Sequence, residues 1–329
     1  MKLLHLSDTH FCNKQDMLDE IVRTTDALLV KASELHPDCA VLAGDSVDEH
    51  LGPIRIDSAA ARAAISFVTR LAEICPVVII RGTKSHDRES PYIFRHLRTR
   101  FPVHVASEIE QVALMASPLR DPAFASLSHV TKWEDVVGFF TLVPSLDKSH
   151  FASQVAGVAD GNAKYRELVF DLFSGFGMVN DSIPADVPRV LVTHGMVTGS
   201  VLSSGETAIG EDMEFGVNDL RAAHADYVAL GHVHKYQTFP GAICYSGSPG
   251  RLNFGEVEEK GFCMVDVDRG SPKLTFIPLP ARLFALHSVE WGDAGAVDVL
   301  AEADRCEESC AGHDVRFRYT IPEECRHQI

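Results

Sequence analysis

No apolar run in this chain of 329 residues approaches the roughly 20 needed to cross a bilayer as a helix, so it reads as a globular protein without a helical span. A secretory leader is not expected either. Met1-Lys2-Leu3-Leu4-His5-Leu6-Ser7-Asp8 turns acidic too soon and reads as a first strand, so the expected location is cytoplasmic and no membrane is expected as a partner. Positive charge is scarce: 30 Lys and Arg against 46 Asp and Glu leave a formal net charge of -16. That balance excludes a generally basic surface for coating nucleic acid. A polyanion would need a local basic track, for which Arg81, Lys84 and Arg88, then Arg95, His96, Arg98 and Arg100, are the candidates. Arg95–Arg100 also reads as a solvated helix face. Internal repeats, heptads and low-complexity tails are missing.

The 8 cysteines contain no pair of closely spaced pairs. Cys12, Cys39, Cys75, Cys244 and Cys263 sit in or beside apolar runs and read as reduced core residues. Cys306, Cys310 and Cys325 lie near His313 and His327, but the first spacing equals one helical turn and weighs against a structural zinc.

What is present is an alternation of strand and helix. Strand-like runs Lys2–Leu6, Cys39–Ala43 and Val77–Ile80 are separated by helical patterns over Gln15–Leu35 and roughly Ser58–Glu73. This βαβαβ order predicts a parallel sheet with right-handed crossovers. Further on, Val112–Met115, Val136–Val143 and Arg189–Thr193 read as strands and Lys164–Phe173 as a helix. From Tyr227 the strands Tyr227–Leu230, Tyr236–Phe239, Ala242–Ser246, Gly261–Val267 and Leu274–Ile277 predict an antiparallel second sheet packed on the first. After Pro278 and Pro280, Leu283–Trp291, a helix around Ala296–Cys306 and Val315–Ile321 predict a small α+β appendage. The expected domains are therefore 1–280 and 281–329.

Acidic and histidine residues cluster at the ends of these runs: Asp8-Thr9-His10, Gly44-Asp45 with Asp48, His86-Asp87, His194-Gly195 and Gly231-His232-Val233-His234. Strand ends feeding loops are where an α/β sheet places its ligand-binding groups. Carboxylates mixed with imidazoles suit Mn, Fe or Zn better than Mg or Ca alone. Single members of the set occur by chance as surface or capping residues, but the ordered set points to a two-metal site for phosphoester hydrolysis.

The ordered set resembles the calcineurin-type metallophosphoesterase superfamily over about residues 1 to 235. Tyr-Val-Ala-Leu-Gly-His-Val-His at 227–234, Tyr-Ser-Gly-Ser-Pro-Gly-Arg-Leu at 245–252, Phe-Gly-Glu at 254–256 and Glu-Lys-Gly-Phe at 259–262 resemble the SbcD-type DNA repair exonucleases. The resemblance implies a two-sheet αββα sandwich with a small C-terminal α+β cap. It implies two divalent ions, Mn²⁺ first, with Fe, Zn or Mg as alternatives. Asp8, His10 and His234 would hold one ion, Asp45 would bridge both, and His194 and His232 would help hold the second. A water or hydroxide clamped between ions about 3.5–4 Å apart would attack phosphorus. His86 would protonate the leaving group with Asp87 orienting it, and Asp48 would support a metal-ligand histidine from the second rank.

The third motif departs from the family's Gly-Asn-His-Asp. Here it reads Gly82-Thr83-Lys84-Ser85-His86-Asp87, with two residues inserted and Ser85 in the slot before His86. A looser second metal is expected, completed by water or by Ser85. Lys84 either contacts substrate phosphate or points into solvent. Arg251 either lines a DNA groove or belongs to the turn around Gly247, Pro249 and Gly250. Phe94, Tyr92 and Phe101 read as core aromatics before base-stacking ones.

The expected partners are DNA, an SbcC-type ATPase and a second copy of the chain, the last through a face near Phe94–Leu97. The ATPase docks C-terminal to the cap in that family. This chain stops at Ile329, inside or just after the cap, so it is expected to be either a piece of a longer protein or a natural form lacking the docking helices. Two other functions stay open. One is a small-molecule or cyclic-nucleotide phosphodiesterase, which the acidic charge favours. The other is a non-catalytic binding module, which only the altered third motif supports.

Overall fold

The computed structural model describes residues 1–117, 120–146, 161–203, 214–268, 272–290, 305 and 313–320. In chain order its strands begin with β1 (Lys2–Leu6), β2 (Cys39–Ala43), β3 (Val77–Ile80), β4 (Val103–Ala106), β5 (Glu110–Ser117), β6 (Arg120–Ser126) and β7 (Val136–Val143). They continue with β8 (Arg189–His194), β9 (Met196–Val197), β10 (Glu214–Phe215), β11 (Tyr227–Gly231), β12 (Gln237–Phe239), β13 (Ile243–Tyr245), β14 (Gly261–Asp266), β15 (Lys273–Pro278), β16 (Leu283–Glu290) and β17 (His313–Thr320).

Two sheets face each other. One has six strands in the order β15-β14-β1-β2-β3-β4, the other seven in the order β12-β13-β11-β8-β7-β5-β6. β1 to β4 run parallel, and so do β7, β8, β11 and β13. β2, β3, β8 and β11 are buried along their whole length, as parallel strands covered on both faces must be. Helix α1 (Gln15–Leu35) buries Leu18, Ile21, Leu28 and Ala32 along one stripe and ends at His36, a left-handed residue whose N–H bonds back to Ala32. Helix α2 (Ala59–Leu71) starts at Ser58, whose hydroxyl accepts the N–H of Ala61.

Side chains alternate along each central strand. In β1, Leu4 and Leu6 face the α1–α2 layer, whereas Leu3 faces the second sheet with Val41, Val78, Phe140, Val192 and Ala229. The outer face of the second sheet packs Leu191, Val228, Leu230 and Tyr245 against Val169 and Phe173 of the helix Gly161–Ser182. The layers are therefore α, β, β, α, the two-sheet sandwich that the sequence resemblance implied.

Several expectations need correction. The strands after Tyr227 do not make one antiparallel sheet. β11 and β13 are parallel members of the second sheet, whose two ends are antiparallel through β12 on one side and β5 and β6 on the other, and β14 and β15 return to the first sheet beside β1. Period-2 patterning identifies a strand but not its partner. β4 and β6 were not anticipated. The former is four residues long after Pro102, and the latter carries Pro122, which an edge strand tolerates. The helix expected over Lys164–Phe173 runs from Gly161 to Ser182, its second half masked in sequence by Gly175 and Gly177.

At the C-terminal end β16 and β17 pair in parallel as a separate two-stranded sheet. Residue 305 aside, the helix expected around Ala296–Cys306, and the cysteines at 306, 310 and 325, fall outside the described residues. This sheet is attached through Arg282, whose N–H reaches Glu20 at 2.7 Å, and through Phe254, stacked on Phe284 at 4.2 Å with the Arg316 guanidinium 4.4 Å from its ring centre. Cys12, Cys39, Cys75, Cys244 and Cys263 are free and buried. No helix among the described residues is long and apolar enough to cross a membrane.

Candidate metal centre

Because β1, β2, β3, β8 and β11 all end at one edge of the sandwich, the loops that follow them converge there. Asp8 and His10 follow β1, Asp45 and Asp48 follow β2, the turn 82–87 follows β3, His194 ends β8, and His232 and His234 follow β11. The two sheets come within contact at this edge. A Cβ on Gly44 or Gly231 would collide with the His194 ring or the Ala43 carbonyl. Asp8, His10, Asp45 and His232 all sit at positive φ, 54°, 49°, 47° and 104° respectively. Such backbone is costly for residues other than glycine and is typical of functional sites.

Three groups of ligand atoms lie within 4.8 Å of one another: Asp8, His10 and His234; His10, Asp45 and His86; Asp45, His194 and His232. The Nε2 atoms of His10 and His234 face each other at 3.1 Å. Asp45 Oδ2 is 3.3 Å from His194 Nε2 and 4.0 Å from His10 Nε2. His194 Nδ1 lies 2.8 Å from the Ala43 carbonyl, and Asp8 accepts the His232 N–H at 3.1 Å on both oxygens. Burial opposes charge throughout; it prevails at His10, whereas at His194 and Asp45 the neighbours outweigh it. Burial and then His234 depress His10 to about 4. Burial resists the charge of His194, but Asp45 outweighs it and raises that imidazole to about 10. Asp45 itself, against its burial, is held below the carboxylate range by His194, His10 and His86.

The third motif is organised differently from the expectation. Asp87 does not orient His86. It is fully buried and accepts from Gly82 N–H at 2.6 Å, and from Ser46 Oγ and Val47 N–H at 3.0 Å, so it ties the turn to the end of β2. Burial, then Asp45, pushes its carboxyl up to about 7. Asp48 does the orienting: its Oδ1 meets His86 Nδ1 at 2.9 Å, and its Oδ2 lies 4.0 Å from His10 Nδ1. Burial opposes the His86 charge, but this hydrogen bond raises its pKa above the usual value.

Ser85 is exposed and, among the described residues, its hydroxyl bonds to that of Thr83, at 3.3 Å. Thr83, which the sequence reading passed over, donates its N–H to Asp45 Oδ1 at 2.7 Å and its hydroxyl at 3.0 Å. The signal was its place directly after Gly82, with the two extra residues following rather than preceding it. Lys84 is exposed and lines a 550 Å³ cleft with Arg81, Glu89 and Tyr92. Arg251 is not placed to meet substrate. It is buried, and its guanidinium donates to the carbonyls of Glu256, Val257, Glu258 and Arg282. Glu256, quoted above without a role, accepts from His234 Nδ1 at 3.0 Å.

A family model of calcineurin-like phosphoesterases matches residues 1–236. The chain belongs to the calcineurin-like phosphoesterase family. The family hydrolyses phosphoesters with the help of divalent metal ions. One solved structure similar to this phosphoesterase shares 12% identity, covers 84% of this chain and 98% of its own, and has a TM-score of 0.41.

The residues of this phosphoesterase fit the ions its family uses. Among the described residues His194 Nε2 is buried with no hydrogen bond beyond its 3.3 Å ion-pair contact with Asp45 Oδ2, although its other nitrogen is fixed by a carbonyl. Carbonyl or carboxylate partners on Nδ1 leave the Nε2 atoms of His194 and His234 aimed inward, where a cation would take the place of their protons. Two imidazole nitrogens 3.1 Å apart, beside a carboxylate, form a donor set that a cation satisfies.

Proposed function

We propose that this chain is a metal-dependent phosphodiesterase that hydrolyses DNA, using manganese and working as an SbcD-type nuclease. The observation that carries the phosphodiesterase reading is the joining of the two outer ligand groups through Asp45, which lies 4.0 Å from His10 and 3.3 Å from His194. Asp8, His10 and His234 would hold one ion, and Asp45, His194 and His232 the other, with Asp45 shared. When bound, the ions supply Lewis acidity, stabilising charge on the phosphoryl group and making water more acidic.

The chain's own groups do the rest. Asp48 occupies His86 Nδ1, so the other ring nitrogen is free to give a proton to the departing sugar oxygen. His86 is partly exposed, at 28%, which allows substrate to reach it, whereas Asp48 is nearly buried and favours the protonated ring. Asp87 fixes the turn that carries both His86 and Thr83. Thr83, in place of Ser85, orients Asp45 toward the second ion position.

DNA as substrate is supported by the 245–262 stretch; the cleft beside the third motif sets Arg81 and Lys84 against Glu89 and Glu108, with Tyr92 in its wall. On this reading residues 281 onward form a cap, and an SbcC-type ATPase and a second copy of the chain are the partners. The net charge of -16 favours a second reading, a small-molecule phosphodiesterase. Both are tested with Mn²⁺-loaded protein on bis-p-nitrophenyl phosphate, linear double-stranded DNA and cyclic nucleotides. Degradation of DNA but not of cyclic nucleotides is expected. Cleavage of cyclic nucleotides alone would overturn the nuclease reading, and inertness on all three the enzyme reading.

A further inference from the structure

The most unusual buried charges of the molecule lie outside the metal motifs. Glu256 has no exposed surface and Lys260 is 2% exposed, although Lys and Glu are among the residues least often fully buried. Taking such charges out of water is costly unless each is closely matched by partners.

The two side chains converge on one histidine. Glu256 Oε1 accepts from His234 Nδ1 at 3.0 Å and from Asn253 Nδ2 at 2.7 Å, and Oε2 accepts the Leu252 N–H at 2.9 Å. Lys260 Nζ lies 2.9 Å from Glu256 Oε2, donates to the backbone carbonyl of His234 at 2.9 Å, and also reaches Ser248 Oγ at 3.1 Å and Glu258 Oε1 at 2.6 Å. His234 is thus held at its ring by Glu256 and at its main chain by the lysine that neutralises Glu256. Arg251 closes the turn behind them through the carbonyls of residues 256 to 258.

We infer that Glu256 and Lys260 are positioning residues that fix the ring orientation and tautomer of His234, and so set the affinity of the ion position formed by Asp8, His10 and His234. Glu256 accepts the Nδ1 proton, so in the neutral ring Nε2 is the nitrogen left unprotonated, opposite His10 Nε2. A carboxylate on the far nitrogen also makes the imidazole a stronger donor to a metal. His194 has only a neutral carbonyl in that place. The two ion positions are therefore built unequally, and the one containing His234 is the tighter.

This inference rests on the two-metal reading above, and one set of measurements separates the two. Manganese is titrated into metal-free wild-type protein and Glu256→Gln by calorimetry, with electron paramagnetic resonance to count bound ions, while nitrogen-detected NMR reads the His234 tautomer in the metal-free proteins. Wild type should bind two ions with unequal affinity. Glu256→Gln should weaken the tighter one about 10- to 100-fold, leave the weaker one unchanged, and lose the fixed Nδ1–H form of His234. Two ions bound with unchanged affinities, or an unchanged tautomer, would overturn the inference but not the metal reading. A wild type that binds no manganese would overturn the metal reading itself. If Glu256→Gln does not fold, Glu256→Asp keeps the charge but withdraws it by one methylene, and should weaken the same ion alone.

Discussion

Asp48 Oδ1 lies 2.9 Å from Nδ1 of His86, and this contact makes Asp48, rather than the adjacent Asp87, the partner of the proposed general acid. His86→Ala should cut turnover by roughly 10²- to 10⁴-fold with manganese content unchanged, as read by steady-state kinetics and metal analysis. The Asp48 hydrogen bond keeps the His86 proton on to higher pH. An acid works only while protonated, so Asp48→Asn should shift the alkaline decline of activity to lower pH. An unshifted profile would remove Asp48 from this role.

Thr83 and Ser85 make opposite predictions for the altered third motif. Thr83→Ala removes the hydroxyl bond to Asp45 and should weaken manganese binding about tenfold or more, by the usual effect of losing a partner of a metal-ligating carboxylate. Ser85→Ala touches an exposed side chain whose hydroxyl bonds to that of Thr83, and should change little. Equilibrium dialysis of both variants decides it. The reverse ranking would return Ser85 to the metal.

Arg251 should matter for stability and not for DNA. Arg251→Ala leaves four carbonyls, one buried and three part-buried, without their donor and should cost about 1–3 kcal/mol, measured as a shift of the urea midpoint. DNA affinity per folded molecule should stay the same. A selective loss of DNA binding in a fully stable variant would contradict the buried placement.

Acid sensitivity of the metal-free protein should trace to Glu256. Against the effect of burial, His234 and then Lys260 depress its carboxyl from 4.5 to about 2. A carboxyl with a lowered folded pKa stabilises above its unfolded value and loses that contribution as pH falls through the folded one. Wild type should therefore lose stability between about pH 4.5 and 2, and Glu256→Gln, already without the charge, should show a flatter curve in urea melts across that range.

The sequence disclosed most of the first sheet and the metal set, because both depend on local signals. Apolar runs such as Val77–Ile80 announce buried strands, and Asp8-Thr9-His10 or Gly231-His232-Val233-His234 follow directly on theirs. What it concealed was pairing across distance. Nothing local says that β14 returns to β1, that Asp48 rather than Asp87 meets His86, or that Arg251 turns inward. Thr83 was hidden by an ambiguity of alignment: two extra residues can precede or follow it in text, and only its contact with Asp45 resolves the choice.

Gly44 and Gly231 add no functional group to the site, yet a methyl at either would strike the His194 ring or the Ala43 carbonyl. The distance between the two halves of the molecule at this edge is thus encoded by missing atoms. In a saturation library selected for activity, both codons should come back as glycine alone, as unforgiving as those for the ligands themselves.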